Sequence, residues 1–127
     1  MLEKTLRLYT PSLSEKALAE FLADKCDDLG FENIRIDDVG NLIATKGSGS
    51  PKILLCGHMD TVPGKIKVRN ENGFIYGRGA SDAKAPLMAM LSPALVPLRI
   101  SDAEMVSLPD CRDLTMPISS TIPVNMF

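Results

Sequence analysis

Residues 52–64 read KILLCGHMDTVPG, an apolar run that ends in Gly-His and then a turn. The run KILLC is apolar on both faces, the pattern of a central strand covered on both sides. His58, the only histidine of the chain, follows it directly. It therefore falls at the carboxyl edge of a sheet, where open α/β sheets put their ligands. Residues two apart in extended chain point the same way, so His58 and Asp60 can share a face. A carboxylate against one ring nitrogen fixes the tautomer and makes the other nitrogen a better metal ligand. The plain alternative is a turn histidine, with Asp60 and Thr61 bonding the local backbone.

Working outward, Leu2, Thr5, Leu6 and Tyr9 stand at helical spacing and predict a short helix over 2–9. Residues 10–31, TPSLSEKALAEFLADKCDDLGF, predict the clearest helix. Ser12 and Glu15 form a capping-box pattern. Leu18, Phe21, Leu22, Cys26 and Leu29 lie along one stripe, and Gly30 suits the left-handed position past the last turn. FENIRID (31–37) and NLIAT (41–45) read as strands around a turn at Val39-Gly40. KGSGSP (46–51) reads as a flexible loop. Ile66 and Val68 alternate with Lys65, Lys67 and Arg69, predicting a half-exposed strand. NENG (70–73) then turns into FIY (74–76), making a hairpin. GRGAS (77–81) is a tight connection, and DAKAPLMAML (82–91) begins a helix, with Pro86 tolerated in its first turn.

The character changes after Leu91. From Ser92 to Phe127 there is no Gly, Lys or His, yet five of the nine prolines fall there. Pro93 and Pro97 interrupt the helix. LTMPISSTIPVNMF (114–127) has no clear period, so the tail is expected to lack a well-packed element. The chain divides into residues 1–91 and a divergent tail, 92–127, whose break reads as truncation or a frame shift.

A net charge of −2 leaves no basic surface for nucleic acid or anionic lipid. No apolar run approaches the ~20 residues of a membrane helix, and the N-terminus lacks a signal-peptide core. Cys26, Cys56 and Cys111 are odd in number and scattered, which argues against a disulfide framework or a zinc knuckle. A reducing cytoplasm is the expected location.

Other residues leave two readings open. Asp82 is either the N-cap of the last helix or a metal-ligating carboxylate held by the glycine-rich turn. Gly77 and Gly79 fit ordinary turns. Lys84 reads as a solvated surface charge, and Arg78 as a turn residue facing water.

Together, LLCGHMDTVPG (54–64) and IYGRGASDAKAPLMAM (75–90) resemble the co-catalytic zinc amidohydrolases and metallopeptidases. That family includes aminoacylases, acetylornithine deacetylase, succinyl-diaminopimelate desuccinylase and glutamate-releasing carboxypeptidases. YTPSLSEKALAEFL (9–22) is similar to the family's first helix. CGHMDTVPGKI and GRGASDAKAPL look most like the archaeal hydrolases that free lysine or ornithine from an amino-group carrier protein, also described as acetyl-lysine deacetylases. The resemblance covers residues 1–91.

It implies an α/β fold, a mixed central sheet flanked by helices, here an incomplete N-terminal part of a zinc-peptidase-like catalytic domain. It implies two zinc or cobalt ions, with His58 binding one, Asp60 standing behind His58, and Asp82 bridging both. Two such metals polarise an amide carbonyl and activate water, with a glutamate elsewhere as general base. The implied partner is an amino-group carrier protein or a small N-acyl amino acid, in lysine or arginine biosynthesis.

Departures are also legible. Ala85 stands where many relatives have Gly. The family expects an adjacent acidic pair one helix and one strand beyond Asp82, a further acidic ligand and a distant His. The tail offers Asp102, Glu104, Asp110 and Asp113, no two adjacent, and no second His exists. The isolated chain is therefore expected to be inactive, with at most partial metal occupancy, and to expose apolar surface that favours self-association. Oligomeric state is not legible.

Overall fold

The computed structural model describes residues 1–48 and 53–92 and the backbone of 102–107. In chain order the elements are α1 (Leu2–Arg7), α2 (Lys16–Asp28), β1 (Glu32–Ile36), β2 (Leu42–Gly47), β3 (Ile53–Gly57), β4 (Arg69–Glu71), β5 (Phe74–Tyr76), α3 (Lys84–Met90) and β6 (Asp102–Ser107). The main sheet runs β1-β2-β6-β3, and β4-β5 is a separate hairpin. β6 pairs antiparallel with β2 and parallel with β3, so the sheet is mixed, as expected.

One hydrophobic stripe decides how α2 lies. Leu18, Leu22 and Cys26 are fully buried and meet Leu42 and Ala44, alternate residues of β2. Met59, Leu87, Met88 and Leu91 complete the same core, which joins α3 to the end of β3. Burying each such Leu stabilises the fold by about 1.5–3 kcal/mol before entropy is counted. α2 ends in a Schellman arrangement. Phe31 N–H donates to the Cys26 carbonyl and Gly30 N–H to that of Asp27, both at 2.9 Å, with Gly30 at φ +72°.

The start of α2 differs from the capping-box reading. Its N-cap is Glu15, with no side-chain cap bond. The Glu15 carboxylate accepts from Leu13 N–H at 2.8 Å, while the Ser12 hydroxyl donates to Asp60 at 2.6 Å. Ser12 is drawn to a carboxylate across the fold, which is a stronger acceptor than a neutral partner.

Three strand expectations also change. β3 ends the described sheet instead of lying at its centre. Leu55 is half-buried, but Leu54 and Cys56 face outward, with Leu54 57% exposed. The segment 65–68 is unpaired, because the Asn72-Gly73 turn sets Arg69 opposite Tyr76 and the chain leaves β5 at Gly77. And the tail does contribute an element: β6 lies between β2 and β3, pairing Leu42 with Ser107 and Gly57 with the same Ser107. Pro93, Pro97 and residues 108–127 lie outside the described residues. Among the described residues, no helix is long and apolar enough to cross a membrane.

Candidate metal centre

The chain leaves β3 at Gly57, where an added Cβ would stand 3.4 Å from the Met90 side chain. Met59 turns into the core, fully buried. Alternation then sends His58 and Asp60 to the other side. His58 Nδ1 lies 2.9 Å from Asp60 Oδ1 and 3.2 Å from the Asp60 carbonyl. The shared face read from the sequence is present.

This loop is splinted to the segment between α1 and α2. Thr61 N–H donates to the Thr10 carbonyl at 2.8 Å, and the buried Thr10 hydroxyl donates to the Met59 carbonyl at 2.9 Å. Pro11 and Thr61 form a parallel bridge. That pairing brings Ser12 opposite Asp60, so Oδ2 accepts from Ser12 while Oδ1 faces His58.

Asp82 comes from the glycine-rich turn. α3 has Ala83 as N-cap and no side-chain cap bond, so the capping reading of Asp82 does not hold. Its carboxylate is 89% exposed and meets His58 Nε2 at 3.1 Å. Gly79 makes the turn possible: it sits at φ +79°, and a Cβ there would stand 2.7 Å from Thr61 Cγ2.

Lys84 overturns its sequence reading as a solvated charge. It is 1% exposed, and its ammonium donates to the Leu8 carbonyl at 2.6 Å and the Thr5 carbonyl at 3.2 Å. These carbonyls lie at the end of α1, where a cation is favourable. Burial lowers the Lys84 pKa below its ordinary value. Arg78 is half-buried, not simply turned to water; its Nε donates to the Gly64 carbonyl at 2.8 Å. Sequence reasoning missed Ser12, Thr10 and Lys84 as supports. The only signal was the Thr-Pro-Ser run before α2, which reads equally well as a helix start.

A neutral imidazole has one N–H to give. His58 faces an acceptor at each nitrogen, so the arrangement needs a second proton at Nε2 or a cation there. Burial disfavours the charged ring. The hydrogen bonds to Asp82 and Asp60, with the Asp60 charge, outweigh it and raise the His58 pKa above its ordinary value. A metal would compete with that proton for the same place.

Two ligand atoms on a tetrahedral zinc with bonds near 2.0–2.2 Å stand roughly 3.3–3.6 Å apart. The 3.1 Å between Nε2 and Oδ1 is a few tenths of an ångström shorter, a gap that a small turn of the exposed Asp82 closes, and imidazole with carboxylate is a donor set that zinc accepts. Two donors are half of the usual four or so. Among the described residues, no group of three or more His, Cys, Asp and Glu side chains gathers to hold a metal. The pair therefore fits as part of a donor set.

Comparison with solved structures gives the fold its class. The di-peptidase Dug1p from Saccharomyces cerevisiae matches with a TM-score of 0.73 at 17% identity, covering 84% of this chain and 30% of that one. The M20 family metallo-carboxypeptidase Sso-CP2 from Sulfolobus solfataricus matches at 0.69 and 23% identity, covering 84% and 29%. The architecture is similar to part of the fold of these peptidases.

Residues 54–95 match the model of peptidase family M20/M25/M40, a family that generally uses metal ions. A LysW-lysine hydrolase of Deinococcus radiodurans is 44% identical over 103 residues, 77% of this chain and 28% of its own length. A LysW-lysine/LysW-ornithine hydrolase of Saccharolobus islandicus is 39% identical over 89 residues, 70% of this chain and 25% of its own. A Pyrococcus furiosus protein provisionally given the latter name is 51% identical over 86 residues, 68% and 26%. The chain spans about a quarter of the length of these relatives.

Proposed function

We propose that this chain carries one part of the metal centre of an amide hydrolase that frees lysine or ornithine from the LysW carrier protein, in cytoplasmic amino-acid biosynthesis. The observation that carries the reading is the convergence of His58 Nε2 and Asp82 Oδ1 at 3.1 Å, with Asp60 on the opposite ring nitrogen. The substrate reading rests on the names of the relatives that match 68–77% of this chain.

In this reading His58 and Asp82 would hold zinc or cobalt, with the largely exposed Asp82 serving both ions. Bound there, such ions polarise an amide carbonyl and make a nucleophile accessible at neutral pH. The chain's own residues do the rest that is visible. Asp60 keeps the Nδ1 proton and turns the Nε2 lone pair outward. Lys84 and Gly79 hold the turn that presents Asp82. Among the described residues two donors do not close a site of about four, so the chain by itself is expected to bind metal weakly and not to turn over.

The test is calorimetric titration of the chain with zinc and with cobalt, beside an assay for lysine and ornithine released from LysW conjugates. Weak binding that His58→Ala and Asp82→Ala each abolish is expected, without turnover. No binding at high micromolar zinc refutes the ligand assignment. Turnover that disappears in His58→Ala refutes the claim that the chain alone is inert.

A further inference from the structure

Asp60 and Asp82 compete for one proton. In the neutral ring the proton sits on Nδ1, facing Asp60 Oδ1 at 2.9 Å, or on Nε2, facing Asp82 Oδ1 at 3.1 Å. Only the first tautomer leaves an Nε2 lone pair on the Asp82 side. The second places a proton where a cation must bind. Both carboxylates are acceptors, so charge alone does not choose between them; orientation and burial do.

Asp82 is 89% exposed and Asp60 25%. Water can solvate and reorient the Asp82 carboxylate, whereas Asp60 is held. What holds it is Ser12, whose hydroxyl donates to Oδ2 at 2.6 Å. The bond goes to the oxygen away from the ring and leaves Oδ1 for the Nδ1 proton. Ser12 is itself fixed by the Pro11–Thr61 bridge and the Thr61–Thr10 backbone bond, so the splint spans 48 positions of sequence.

We infer that Ser12 is a positioning residue: by locking the Asp60 carboxylate it sets His58 in the Nδ1–H tautomer and so keeps Nε2 open on the Asp82 side. The consequence for metal affinity rests on the function proposed above; the consequence for the tautomer does not.

His58 is the only histidine, so a ring ¹⁵N spectrum of the full chain reports this site alone. The metal-free chain is measured at alkaline pH, where the ring carries one proton. Wild type is expected to be mainly Nδ1–H. Ser12→Ala shifts the population toward Nε2–H, and Ser12→Thr, which keeps the hydroxyl, restores it. Ser12→Cys, similar in shape but a weak donor, gives the Ala result should Ala perturb folding. Loss of a partner in direct contact with a ligand lowers metal affinity about 10–100-fold, so removing Ser12, one contact further out, is expected to lower zinc affinity by roughly 3–10-fold. A tautomer ratio that stays as in wild type in both Ser12→Ala and Ser12→Cys overturns the inference. If the ratio shifts but no variant, wild type included, binds zinc, the positioning role stands and the metal reading fails.

Discussion

Lys84→Met tests whether the buried ammonium stabilises the fold. Methionine keeps the length of the stem, so the contacts that pack against Gly79 survive and no large cavity opens. What is lost is the pair of bonds to the Leu8 and Thr5 carbonyls. These carbonyls are not equal. Thr5 O also accepts from Leu8 N–H at 3.2 Å, so it keeps a partner. Among the bonds described, that of Lys84 is the one made to Leu8 O, and at 2.6 Å it is the shorter of the two.

An acceptor left unsatisfied costs about 1–3 kcal/mol. A cation at a partly buried helix end adds up to ~2 kcal/mol. Against this stands the desolvation of the ammonium, several kcal/mol in a buried site, which Met does not incur. The ammonium sits on carbonyl dipoles, and Met cannot satisfy them, so the losses are expected to win by about 1–2 kcal/mol. Urea unfolding at neutral pH measures this. With a urea m-value of about 1–3 kcal/mol/M, the midpoint falls by on the order of 1 M in Lys84→Met. Lys84→Ala adds a cavity and falls further, by about 2–5 kcal/mol in all. A Met variant as stable as wild type, or more so, would show that desolvation outweighs the bonds and that Lys84 is kept for placing Asp82 alone.

Two further perturbations separate turn geometry from charge. Gly79→Ala forces a Cβ to 2.7 Å from Thr61 Cγ2 at φ +79°, and a thermal melt is expected to show at least ~2 kcal/mol lost; an unchanged melting temperature contradicts the close packing of this turn. Asp37 accepts from the backbone N–H groups of Val39 and Asn41 and from the Asn41 amide, at 3.1, 2.8 and 2.9 Å. Burial pushes its pKa up, but these bonds outweigh it and hold the carboxyl below its ordinary value. The sign follows: the bonds stabilise the β1–β2 turn above the unfolded pKa, and that contribution is lost as pH falls through the lower, folded value. Asp37→Ala is expected to cost about 1–2 kcal/mol at pH 7 and to flatten the acid limb of the stability curve, and an acid limb identical to wild type counts against it.

Legibility in the sequence followed locality. The Leu18–Cys26 stripe, the Gly30 terminus and the Asn72-Gly73 hairpin are read correctly because each is decided within one or two turns of chain. His58 and Asp60 were legible for the same reason, being two residues apart at a strand end. Ser12 and Lys84 were not. Their partners lie 48 and 76 positions away, and each has a local reading, a cap and a surface charge, that is individually reasonable. Polar side chains reveal their roles only when the fold supplies the acceptor. The run KILLC misled in the opposite way, because apolar composition reports what a strand tolerates and leaves open which strand covers it.

The placement of β6 bears on why the donor set is short. The resemblance expects an acidic pair one helix and one strand beyond Asp82. That strand position is filled: β6 follows α3, runs parallel to β3, and brings Ser107 into register with Gly57, next to His58. Ser107 is not acidic. Glu104 is in register with Leu54, three residues back, roughly 10 Å along the strand from the level of Gly57 at ~3.3 Å per residue. Within β6, therefore, no acidic residue stands level with Gly57.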